Sequence, residues 1–390
     1  MTRKWLRWMP AAAVPAVIAA GVLVGPLPAS AGDPLPAKTP QQVLLMIAQH
    51  NEKALSGSLE QTSAIGLPPL PKTGPGGVSS DTAWLELLTG PHTARVYLDG
   101  PENARVQVMD RMAERNAVRH GNELWFYNSK DNTAAHAQLP ADAGQRHAAG
   151  DLPGPGTIPT PGDLAAKLLA KLDASTDVRV GADVQVAGRA AYNLVLTPKS
   201  TATLVASIAI SVDGASGLPL GVELNARGQS DPAFKVAFTS LKLEAPDSSI
   251  FEFTPPPGAT VKEIPVPEHK AHAATPPSGM SPEAKDAARP SVTGTGWESV
   301  IGFPAGTVAM PGQATDQAPG PAAGNPLEPD PSLPGGPASG AASLFEQAAV
   351  AVPGGRLVST SLLNVLILDD GRIFAGAVPL ERLQAAAAPR

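Results

Sequence analysis

Residues 188–239 read GRAAYNLVLTPKSTATLVASIAISVDGASGLPLGVELNARGQSDPAFKVAFT. Tyr192, Leu194 and Leu196 share one side of an alternating run. Leu220, Val222 and Leu224 alternate with Gly221, Glu223 and Asn225, and Phe234, Val236 and Phe238 with Lys235, Ala237 and Thr239. A period of two sends successive side chains to opposite faces, so each run predicts a strand with one apolar and one wet face. Gly188-Arg189 precedes the first run, and Asp213-Gly214-Ala215-Ser216-Gly217 follows the apolar run Leu204 to Val212; both are turn signals. Short strands separated by turns predict an antiparallel meander.

The pattern continues upstream. Ser58 to Ile65 is competent for a strand, Thr93 to Leu98 runs into the turn Asp99-Gly100-Pro101, and Arg105 to Val108 alternates. Ala117-Val118-Arg119 turns at His120-Gly121-Asn122 into Glu123-Leu124-Trp125-Phe126-Tyr127, and Ser129 to Asn132 turns again before Ala135-His136-Ala137. Asp177 to Val180 and Asp183 to Val186 flank Gly181-Ala182, and Phe251 and Phe253 alternate around Glu252 before Pro255. Two amphipathic helices interrupt the strands. The first opens at Thr39-Pro40, carries Leu44, Ile47, Ala48 and Leu55 at helical spacing, and is expected to end near Ser56-Gly57. The second spans Asp163 to Leu172. Trp84 to Leu88 is read as a short helical turn.

Composition frames these elements. The chain has 390 residues, 43% hydrophobic and 16% charged, and a net charge of −6, without the basic surplus of a nucleic-acid binder. It contains no Cys, which removes disulfides, thiolate ligands, cysteine nucleophiles and lipid attachment at a lipobox. Its 43 Pro and 38 Gly exceed the share of about 12% in average usage, as expected when a globular part carries long linkers. At the N-terminus, Arg3, Lys4 and Arg7 precede the apolar stretch Ala11 to Val24 and the small residues Ala29-Ser30-Ala31. This is the layout of a secretory signal peptide over residues 1–31, giving a mature start at Gly32 and a location outside the cytoplasm; an uncleaved anchor is the alternative.

Residues 267–295 read as a Pro/Ala-rich linker, and 304–340 as an insert too rich in Pro and Gly to pack. Between and after them lies a small C-terminal α+β segment, residues 296–390. It has a strand within Gly296 to Phe303, an apolar run Leu357 to Leu368, a hairpin turn at Asp369 to Arg372, a return strand Ile373 to Val378 and a helix from Pro379 to Ala388.

Enzymatic signatures are missing from the sequence: no G-x-S-x-G, no P-loop, no G-x-G-x-x-G and no H-E-x-x-H. His269 and His272 stand three apart, but in the linker, and His92, His120, His136 and His147 fall at or near turns with no nucleophile beside them. No catalytic residue, metal site or cofactor is therefore expected.

The order of these features resembles the LolA-like superfamily. The residues that carry the resemblance are the first helix running into Ala54-Leu55-Ser56-Gly57-Ser58-Leu59-Glu60-Gln61, the turn and strand Gly121 to Tyr127, the hairpin Asp213 to Leu220, and Phe251 to Ala259. That superfamily includes the lipoprotein carriers LolA and LolB, the lipid carriers LppX and LprG, and the N-terminal domain of RseB and MucB. The likeness is greatest to secreted LolA/DUF2092-type proteins of high-GC Gram-positive bacteria and covers residues 39–266. It implies a mainly β (α+β) fold: an open, curved antiparallel half-barrel whose helices form a lid over an apolar concave face. In the carriers that face holds acyl chains, so the resemblance implies a non-enzymatic binder of lipid or lipoprotein acyl chains. The alternative is a regulatory sensor of the RseB/MucB kind, meeting a membrane-associated partner such as an anti-sigma factor through residues 296–390.

Candidate cleft residues follow from the pattern: Trp125, Tyr127, Leu194 and Ile208 on the sheet, and Leu44 and Ile47 on the lid. Ordinary core packing is the competing reading of each. Arg95, Arg105, Arg111, Arg115, Arg119 and Lys130 make residues 93–130 basic, which fits either a lipid headgroup site or solvated strand faces.

Overall fold

The fold was read from a computed structural model that describes residues 34–66, 90–109, 113–139, 159–264, 290–305 and 348–388. The expected signal peptide, the turn Trp84 to Leu88, Arg111, His147, His269, His272, most of the linker and nearly all of the insert lie outside the described residues.

The first sheet consists of β1 (Ala54–Ser63), β2 (His92–Asp99), β3 (Asn103–Met109), β4 (Glu114–His120), β5 (Glu123–Asn128), β6 (Thr133–Gln138), β7 (Thr176–Val180), β8 (Val184–Val186), β9 (Arg189–Pro198), β10 (Val205–Asp213), β11 (Pro219–Ala226), β12 (Phe234–Lys242) and β13 (Thr260–Glu263). Its order is β13-β6-β5-β4-β3-β2-β1-β12-β11-β10-β9-β7, with β8 also paired to β9. The sheet is open and curved. Its pairings are antiparallel except β13 on β6, which is parallel. Two sequential meanders, β1 to β6 and β7 to β12, meet where β1 pairs with β12. A register shift lies beside that seam, between Ser58 and Leu59. Gly57 is required there: a Cβ would stand 2.5 Å from the Ser240 carbonyl and 2.9 Å from the Phe238 ring.

Two helices lie on this sheet. In α1 (Pro40–Gln49), the Thr39 side chain accepts from the Gln42 amide at 3.3 Å while Gln42 accepts from the Thr39 amide at 2.8 Å, a complete capping box. In α2 (Pro161–Leu169), Thr160 and Asp163 do the same. α1 is shorter than the sequence suggests. The positions three and four after Ile47 are His50 and Asn51, so the apolar stripe breaks, and Leu55 is buried as part of β1, opposite Leu98. α2 likewise begins at Pro161 and ends before Leu172.

Phe251 and Phe253 do not form a strand. Asp247 caps a short 3-10 turn, Ser248–Phe251, and the prolines that follow cannot donate to a ladder. Ser291–Thr293, at the end of the expected linker, is a strand (β14) held against β15 (Val300–Phe303) by pairs such as Val292 with Ile301. Gly296–Glu298 between them is a 3-10 turn.

The second sheet adds β16 (Val350–Val352), β17 (Gly355–Ser359), β18 (Asn364–Leu368) and β19 (Ile373–Gly376), in the order β14-β15-β19-β18-β17-β16. The apolar run from Leu357 to Leu368 is thus two strands. Thr360 folds the chain back, its hydroxyl accepting from the Leu363 amide at 2.9 Å. α3 (Leu380–Ala387) packs Leu383 and Ala387 against Val300, Leu366 and Phe374. The two sheets are joined by hydrogen bonds. The Leu204 amide and the Thr203 hydroxyl both donate to the Ala377 carbonyl, at 2.8 and 2.7 Å, and Trp297 Nε1 donates to the Thr176 hydroxyl at 2.8 Å.

Candidate functional site

Register decides which candidate residues meet. Residues opposite each other in a ladder share a face. Leu194 faces Ile210, which faces Val222, then Val236 and Gln61; Ile208 faces Leu196 and Leu224. Across the seam Leu59 faces both Phe238 and Ala94. The same face continues through Val96, Val106, Ala117 and Phe126. One apolar face therefore runs the width of the sheet, with Leu59, Val96, Leu194, Ile210, Val222 and Val236 all fully buried. The helices cover part of it. Lys38, just before α1, lies 5.9 Å over the Tyr192 ring, and α2 packs on β11 and β12.

Leu194 and Ile208 belong to this face, and α1 brings Ile47 to the β7–β9 end with Leu44 half-buried beside it. The more deeply buried partner of Ile47 is Val43, one turn earlier; Ala48 is exposed. The pair Val43 and Ile47, four residues apart, was the sequence signal for this.

Trp125 and Tyr127 lie on the opposite face. Trp125 faces Val118 and His136, and Tyr127 faces Asn116 and Ala134. The segment after β12 covers them: Phe253 lies 5.6 Å from the Trp125 ring and 5.8 Å from Tyr127, and Phe251 beside it is buried. Arg105 ties this segment down, Nη1 donating to the Ile250 carbonyl at 2.8 Å. Trp125 also stacks on His136 at 4.2 Å and 22°. His136 carries a carboxylate on each ring nitrogen, Glu123 at Nε2 and Glu263 at Nδ1, the latter 2.9 Å away. Burial disfavours the charged ring, but the bonds to Glu123 and Glu263 outweigh it and hold its pKa above the ordinary histidine value.

The β10–β11 hairpin positions α1. Asp213 is buried and held by Arg189 through a two-pronged pair, 2.7 and 2.8 Å, and by the Ser216 amide and hydroxyl at 2.8 and 2.7 Å. Burial alone would raise the Asp213 pKa, but these bonds hold it below the usual carboxylate range. The hairpin ends at Gly217, with φ +78°, where a Cβ would come 2.5 Å from the Met46 carbonyl of α1. Only glycine accepts both that backbone and that approach.

A hollow of about 330 Å³ lies beside the second sheet, lined by Ser175, Trp297, Glu298 and Arg382 among others; Arg382 and Glu298 already pair at 2.8 Å. Among the described residues no three His, Asp or Glu side chains are arranged to hold a metal ion, and no helix is long and apolar enough to cross a membrane.

These features define an open, curved β-sheet protein with a helix-covered apolar face and a second, smaller sheet. No family model matches the chain, and no curated protein matches it by sequence. Its structural neighbours include proteins of the LolA superfamily and MucB. The complex of MucA and MucB from Pseudomonas aeruginosa aligns at 14% identity and a TM-score of 0.39, covering 89% of this chain and 96% of that one. A LolA superfamily protein from Nitrosomonas europaea aligns at 12% identity and a TM-score of 0.21, over 56% of this chain and 99% of that one. An uncharacterized conserved protein from Thermus thermophilus aligns at 13% identity and a TM-score of 0.32, over 57% and 98%.

Proposed function

We propose that this chain is a non-enzymatic, extracytoplasmic carrier that binds lipid or lipoprotein acyl chains on the apolar face of the first sheet. One observation carries the reading. The face is predominantly apolar from β5 to β7, with Gln61, Arg115 and Arg119 also on it, yet the described helices lying on it have only 10 and 9 residues. Large side chains stay half-exposed on it, Phe126 on β5 and Leu98 on β2 in one half and Val178 and Val180 on β7 at the other end. On the helices, Leu44, Leu164 and Leu168 are half-buried too. Such a surface gains free energy by covering itself with acyl chain, at about 25 cal/mol per Å² of apolar area removed from water. Leu44 is the proposed contact with α1 seated on the sheet; Ile47, Leu194 and Ile208 are buried beneath it and become contacts when α1 lifts; Trp125 and Tyr127 serve the opposite face.

Native mass spectrometry with lipid extraction tests this on the secreted protein. The wild type is expected to carry lipid, and Leu44→Asp to be folded by circular dichroism but stripped. A wild type that neither carries nor takes up lipid would overturn the proposal, and full lipid retention in folded Leu44→Asp removes α1 from the site.

A sensor that meets a membrane-associated partner is the second reading, and exposed apolar side chains favour it. Val292 and Val350 are each 66% exposed on the second sheet, and Ile301 stands opposite Val292. A membrane protein cross-linked to the wild type but not to Val292→Asp or Val350→Asp would support this reading over a carrier that acts alone.

A further inference from the structure

Register sorts the basic residues of β2 to β4. Arg95 faces Gln107 and Ser58, and Arg105 faces Tyr97 and Val118, so both lie on the face of Trp125 and Tyr127, where Arg105 donates to Asn116 and to the Ile250 carbonyl. Arg119 faces Ala104 and Leu124 instead and lies on the apolar face. It is only 4% exposed, and Ala104, Ala117 and Leu124 around it are buried as well. Its Nε donates to the Gly121 carbonyl at 3.1 Å, which directs the guanidinium toward the β4–β5 turn. Its Nη2 is buried without a hydrogen-bond partner among the described residues. Arg115, two pleats away along the same strand and roughly 13 Å off at about 3.3 Å per residue, lies on the same face.

A guanidinium stays protonated at any physiological pH, so burial cannot be relieved by losing the charge. A buried cation is costly unless an anion accompanies it. The planar fork fits a phosphate or carboxylate, which can accept two parallel N–H bonds. The surroundings specify the rest of the molecule. From Arg119 the face is apolar through Ala117, Val106 and Val96 toward the seam. These walls are already out of water, and a small hydrated anion cannot replace their apolar cover, whereas an acyl chain can.

We infer that the apolar face takes an anionic amphiphile, with Arg119 receiving the phosphate or carboxylate headgroup at the β4–β5 end and the chains lying across the strands toward β1. This deepens the lipid-binding reading and rests on it.

The test uses the full secreted chain and two lipids with the same acyl chains, dioleoyl phosphatidate and dioleoylglycerol, counted by native mass spectrometry after exchange from micelles. Phosphatidate is expected to be retained at least tenfold over dioleoylglycerol. Arg119→Gln is expected to bring phosphatidate down to the dioleoylglycerol level and leave dioleoylglycerol unchanged. Equal retention of both by the wild type overturns the headgroup role while leaving lipid binding standing. Retention of neither overturns lipid binding and this inference together. Displacement of phosphatidate by millimolar inorganic phosphate alone would show a free-anion site and overturn the amphiphile. If Arg119→Gln fails to fold, the wild-type ratio decides by itself.

Discussion

Asp213 shows how much a single side chain holds in place. Its carboxylate gathers Arg189 and both donors of Ser216 at the hairpin that supports α1. Replacing it with Asn keeps the shape but leaves Arg189 without its counter-charge. Breaking a buried pair costs about 3–5 kcal/mol, and the low end applies because the Arg189 side chain is 30% exposed. Urea denaturation of Asp213→Asn should show that loss. The native pKa lies below the unfolded one, so the contribution is complete above the unfolded value of about 3.9 and fades as pH falls through the native value. Acid unfolding of the wild type should be steeper than that of Asp213→Asn. His136 has the opposite sign. Its native pKa is raised, so its contribution is complete below about 6.5 and is lost as pH rises through the higher native value. Glu123 on β5 and Glu263 on β13 face its ring, with His120 opposite Glu123 on β4. Because Glu263 belongs to β13, the protection factors at Thr260–Glu263, with the intrinsic base catalysis of exchange divided out, should fall on the alkaline side, and His136→Gln should abolish that fall.

At the scale of elements, α1 rests on one glycine. Gly217→Ala adds a Cβ against the Met46 carbonyl on a backbone that disfavours it, and overpacking of this kind costs about 1–3 kcal/mol. Amides of 43–49 should exchange faster in that variant while those of β9 and β10 keep their protection. Much of this layer was legible beforehand. The alternation of Tyr192, Leu194 and Leu196 and the turn at Gly121-Asn122 both became what their patterns implied, because period two and turn chemistry are local. What escaped was not local. The alternation of Glu123 to Tyr127 says that Trp125 and Tyr127 share a face, but not which face the rest of the chain covers. Phe251 and Phe253, more than a hundred residues later, settled that by capping the second face. The basic run containing Arg119 fits either a headgroup site or a solvated face by sequence, and only the hairpin register sets Arg119 opposite Leu124. The end of α1 escaped because Leu55 fits a helix by spacing alone, while as part of β1 it pairs with Leu98 of β2.

Over the whole molecule, the two sheets behave as parts of one unit from Lys38 onward. Trp297 bonds across to Thr176, and Ala377 accepts twice from the Thr203–Leu204 corner. Trp297→Phe keeps an aromatic side chain, though a smaller one, and removes one such bond, a loss of about 1 kcal/mol. Circular dichroism and fluorescence should still trace one coincident transition in that variant. Two separate transitions in the wild type would mean that the joint contributes little. The seam between β1 and β12 has a consequence of another kind, for the order of assembly. Each meander can zip from neighbours close in sequence, but Ser58 must find Ser240 across 182 positions. Closing so long a loop is entropically costly and comes late. Until it closes, two half-sheets present bare apolar faces, which makes them substrates for chaperones and prone to mispairing through the strands that will form the seam.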